Sequence, residues 1–109
     1  MPLEPKEAAK QALIAYRQLG RIMQDEISAG RARVHLARYN GILDTLHACF
    51  SIDPTLSDTI KHLEPLREST PDLGSQMESD GRVLLDAARH FIELYLSPED
   101  KQKAIGFGA

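Results

Sequence analysis

Tryptophan is absent from this sequence, cysteine occurs once, and aromatic residues make up only 6% of it. A core without large rings must be built from aliphatic side chains and alanine, which suits helices packed at close range. β-branched residues are also few, which argues against an extensive sheet. Cys49 has no second cysteine to pair with, in keeping with a reducing, cytoplasmic setting. No apolar run follows a basic start, so no secretion signal is expected. The longest apolar-rich stretch, Val83 to Leu96, is interrupted by Asp86, Arg89, His90 and Glu93 and cannot span a bilayer. A basic excess is missing too. The net charge is -3, whereas nucleic-acid binders are usually basic overall, so nucleic acid is a disfavoured partner.

What is present is an ordinary globular balance, 42% hydrophobic and 27% charged over 109 residues. That is enough chain for one domain with its own core, without a disulfide or a structural metal. Charge is divided unevenly. Up to Phe50 there are seven Lys/Arg against five Asp/Glu; from Ser51 onward there are six against eleven. The halves therefore complement each other.

Breaks near Gly30, Ser51–Pro54, Pro65–Pro71 and Ser97–Pro98 leave four helical segments, predicted at roughly 5–29, 31–50, 54–64 and 71–96. Pro5 suits a first helical turn, and Glu4 and Glu7 favour the positive end of the dipole. Apolar residues then recur at Ala9, Leu13, Tyr16, Met23 and Ile27, with Gly20 in register and Ala12 and Leu19 widening the stripe. The second segment carries the cleanest pattern, Leu36, Tyr39, Leu43, Leu46 and Phe50, spaced as a bundle seam. Extending the first stripe would place seam positions at Gly30, Val34, Ala37 and Gly41, out of phase with the second. A tight hairpin near Ala29–Arg31 follows from that slip, with one long bent helix as the alternative. Asp53 and Pro54 form a cap and first residue for a short third helix striped by Leu56, Ile60 and Leu63. Thr70 and Pro71 repeat the device for the fourth, which carries Leu73, Met77, Leu84, Ala88, Phe91 and Tyr95. Gly74, Ser75, Ser79 and Gly81 predict a break in its first half. The expected fold is all-α, a small antiparallel four-helix bundle forming a single domain, with residues 97–109 a loosely attached tail.

Three kinds of candidate site emerge. Asp44 and His47 on the second segment, and Asp86, His90 and Glu93 on the fourth, stand three or four apart, spacings that place metal ligands on one helix face. Paired-metal bundles use Glu-x-x-His on two helices; here the order and the acids differ, and ordinary exposed ion pairs are the favoured account of the spacings. No cofactor is expected. A second group, Arg17, Arg21, Arg31, Arg33 and Arg38, could grip phosphate or carboxylate, since guanidinium forks match both. The third candidate is an apolar interaction face, Ile14 with Ile22 or Leu85 with Ile92 and Leu96, through which a small bundle could dimerise or bind another protein. Cys49 sits beside the second seam and reads as a buried thiol. There is no Gly-x-Ser-x-Gly elbow and no phosphate loop. These features favour a non-enzymatic protein-interaction or self-assembly module. A ligand- or metal-binding bundle using His47, Asp86, His90 and Glu93 is the alternative, and weak phosphate or nucleic-acid contact through Arg17 to Arg38 ranks third.

Overall fold

A computed structural model describes residues 4–25, 29–96 and 98–99. Four helices, α1 (Pro5–Gln24), α2 (Ala29–Phe50), α3 (Pro54–Ile60) and α4 (Leu73–Tyr95), form an all-α bundle, with no strand among the described residues. The three long helices carry the core. α1 packs most extensively on α4, then on α2, while α3 closes one end against α2 and α4. The tail expected at 97–109 lies almost wholly outside the described residues.

α1 starts at a proline, as its sequence demands, but its buried stripe is rotated from the expected one. The residues facing the core are Ala8, Ala12, Ala15, Leu19 and Ile22, flanked by Ala9 and Leu13. Tyr16 and Met23 sit half-buried at the edge. The reason is steric: alanines let α1 approach its neighbours closely, and the larger residues fill the flanks. The chain turns earlier than Gly30 suggested. α1 ends at Gln24, Asp25 is extended, and Gly30 lies in the first turn of α2. Tertiary contacts define the corner. Asp25 accepts a hydrogen bond from His35 Nε2 at 2.8 Å and pairs with Arg31 at 3.4 Å. α1 and α2 are thus separate helices packed side by side.

α2 keeps the predicted seam, with Tyr39, Leu43, Leu46 and Phe50 fully buried and Leu36 half-buried. Asp53 caps α3 by accepting from Leu56 N at 3.1 Å, and its other oxygen accepts from the Tyr95 hydroxyl at 2.6 Å. These two hydrogen bonds, the Tyr95 one foremost, hold the Asp53 carboxyl below its ordinary range. α3 ends at Ile60, four residues before the expected stop. An extended connection then runs back along α2. His47 Nε2 donates to Leu63 O at 3.1 Å, and Asn40 grips Leu66 through both ends of its amide, at 3.0 and 2.9 Å.

α4 begins later than predicted. Thr70 closes the turn from Arg67, accepting its N–H at 2.9 Å, and the N-cap is Asp72 in the left-handed region at φ 48°. Aspartate is one of the few residues that tolerates this conformation. The expected break between Gly74 and Gly81 is absent. Both glycines are buried, and Gln76–Asp80 and Arg82–Glu78 contacts bridge successive turns. At Gly81 an added Cβ would lie 2.6 Å from Met23 Sδ, so the missing side chain admits α1. Gly20, in register with the expected α1 stripe, has nothing within 4 Å of an added Cβ. No helix among the described residues is long and apolar enough to cross a membrane.

Candidate functional site on the face of α1 and α2

The acid–histidine set does not assemble. Asp44, Asp86, His90 and Glu93 are exposed, and Asp86 faces Arg89 on its own helix at 3.7 Å. His47 is committed to the Leu63 carbonyl, while His90 lies exposed on α4. Among the described residues no three metal-ligating side chains could hold one ion. Cys49 is buried, and burial pushes its thiol up to about 11. It stays protonated at neutral pH and is no nucleophile.

The expected apolar face also dissolves. Ile22, Ile92 and Leu96 are core residues, and Leu85 packs half-buried against the core. Ile22 follows the rotated stripe of α1, and Ile92 and Leu96 continue the buried face that Ala87, Ala88 and Phe91 form along α4. Only Ile14 of the five stands out, at 59% exposure. It is joined by Val34 at 71%, which lies outside the α2 seam. Leu94, on α4, is the third large exposed hydrophobic among the described residues.

Ile14 and Val34 belong to the two helices that carry the arginine cluster. α1 and α2 run antiparallel, with Arg21 opposite Arg38 and Gln11 and Ile14 opposite Thr45. That register puts Gln18 across from Gly41 and the Asp25 corner beside Val34. Gln18, Arg21 and Arg38 line a crevice of about 290 Å³. On the other side of α1, a wider groove toward α4 is lined by Tyr16, Gly20, Met23 and Leu85, with Arg17 and Arg21 at its rim. Arg31 is neutralised by Asp25. Arg21, Arg33 and Arg38 are exposed and have no acidic partner among the described residues. Of the arginines singled out in the sequence, the structure therefore gathers Arg17, Arg21 and Arg38 around one ridge and leaves Arg31 and Arg33 at the corner.

Among the described residues, one buried polar group stands alone. The Tyr39 hydroxyl is buried without a hydrogen-bond partner. Burial, with the nearby Asp80 carboxylate adding to it, raises its pKa well above the ordinary tyrosine range. Asp80 itself is buried and accepts from Gln76 Nε2 at 2.9 Å. An unsatisfied buried hydroxyl costs roughly 1–3 kcal/mol. Tyr39→Phe is therefore expected to stabilise the fold by about 1 kcal/mol in urea unfolding. A loss of similar size would show that the hydroxyl has a partner, Asp80 being the nearest candidate.

Compared with protein-family models, with curated proteins and with solved structures, the chain gives no significant match to any of them.

Proposed function

We propose that the chain is a non-enzymatic helical interaction module that binds another protein through the outer face of α1 and α2. The observation that carries this reading is composition at one place. Among the described residues, two of the three large exposed hydrophobics, Ile14 and Val34, share a face with Arg21 and Arg38, which have no acidic partner there. Interfaces favour apolar anchors beside arginine over lysine or acid. The outer side of α4 differs, since Arg82 and Arg89 there are matched by Glu78 and Asp86. A cytoplasmic setting accords with the single buried thiol. A homo-oligomer would use the same face, with a second copy as the partner.

The test is photo-crosslinking in the native cell, with a benzophenone amino acid placed singly at Ile14, at Val34 and, as control, at Arg82. Discrete crosslinked species from positions 14 and 34, and none from 82, are expected. Their mass separates a second copy from another protein. Equal labelling from all three positions, or none, would overturn the reading.

A further inference from the structure

We propose that the crevice between α1 and α2 receives a carboxylate presented by an acidic, amphipathic helix of the partner. The inference rests on the reading of this face as the binding surface and names the chemistry of what it binds. Two guanidinium groups, Arg21 and Arg38, open onto one crevice with Gln18 between them and no acid paired with either among the described residues. Like charges at one opening repel unless an anion joins them, and the planar fork of arginine suits a carboxylate held by two parallel hydrogen bonds. Arg21 stands in the last turn of α1, where the helix dipole favours a cation. Arg38 stands mid-helix, and no intrahelical effect accounts for it.

A helix suits the groove better than a small anion. Val34, Arg38, Gly41 and Thr45 form one stripe on α2, about 16 Å long at 1.5 Å per residue. Val34 stands at one end and Ile14 at the other, so apolar contacts flank the charged centre. Gly41 is mid-helix and exposed, and a side chain there would meet nothing within 4 Å. Packing within the chain does not account for this glycine, whereas a helix lying in the groove could approach its backbone. A long polyanion fits poorly, because only two arginines line the crevice and the chain carries a net charge of -3.

The test is an NMR titration of the isotopically labelled full chain. The probe is a short helical peptide with leucine and glutamate along one face; its glutamine counterpart and a single-stranded oligonucleotide are titrated in parallel. The glutamate peptide is expected to shift the amides of Gln18, Arg21, Arg38 and Gly41 and to bind at least tenfold tighter than the glutamine peptide. Arg38→Glu should weaken it tenfold or more, Arg38→Lys by less, and Arg82→Gln not at all. The spectrum of each variant reports its folding directly. Equal binding of the two peptides, shifts centred elsewhere, or no shifts at millimolar peptide would overturn the proposal. So would tighter binding of the oligonucleotide at the same crevice, which would assign the site to phosphate. Crosslinks at positions 14 and 34 without a glutamate preference would leave the binding face standing and remove the carboxylate. Absence of those crosslinks would remove both.

Discussion

Phe91→Ala is expected to destabilise the protein by about 3–5 kcal/mol, the range for emptying a large aromatic site in a core. Phe91 is fully buried and joins two other rings, Phe50 at 4.9 Å and Tyr95 at 4.8 Å between centroids. In a chain this poor in aromatics those three rings tie the ends of α2 and α4 together where α3 closes the bundle. Tyr95 in turn holds the Asp53 cap. Truncation would therefore leave a cavity and loosen the start of α3 as well. A domain of this size has about 5–15 kcal/mol to lose. Thermal melts should fall by more than about 10 °C, since each kcal/mol is worth roughly 4–8 °C in a domain near this length. A fall of a few degrees would mean that neighbouring helices collapse into the space.

Ala12→Phe is the opposite experiment and is expected to cost about 3 kcal/mol, the top of the usual range for overpacking. Ala12 is fully buried in a run with Ala8, Ala9 and Ala15 on α1, and Ala87 and Ala88 are buried on α4. Small residues on these helices set their separation. A ring at position 12 has no void to enter, so α1 must move outward. The expected readout is lower stability in denaturant with retained helical circular dichroism. An unchanged midpoint would show that the helices are not in close contact at this level.

Much of the helical layout is legible in the sequence, and the exceptions share a physical cause. The α2 seam and the Asp53–Pro54 start of α3 depend on side chains within a few residues of one another, so periodicity and capping rules find them. The buried face of α1 lies one helical position from the one that apolar area favours, since Tyr16 and Met23 carry more of it than Ala8, Ala12 and Ala15. Burial went instead to the residues small enough for close approach. The corner at Asp25 was displaced from the glycine that seemed to mark it, because His35 and Arg31, ten and six residues away, hold it in place. The start of α4 depends on a left-handed aspartate, Asp72, two residues beyond the Thr70–Pro71 pair that resembles a cap and first turn in the sequence. At the candidate site the arginines could be counted from sequence, but which of them meet is a matter of register between two helices. Arg21 faces Arg38 only because the chain turns at Asp25. Asp44, His47, Asp86, His90 and Glu93 show the converse: helical spacing put ligands on common faces, and packing sent those faces in different directions.

The helices that pack most extensively, α1 and α4, are also the first and the last of the four. Bringing them together closes the largest loop in the molecule, a step whose entropic cost must be met before its contacts are gained. α2, α3 and the start of α4 can meet through short connections. On this topology the alanine-lined seam forms late, after the rest has condensed. A fault in that seam should then leave the folding rate almost untouched and appear as faster unfolding, so that its damage is to the lifetime of the native protein.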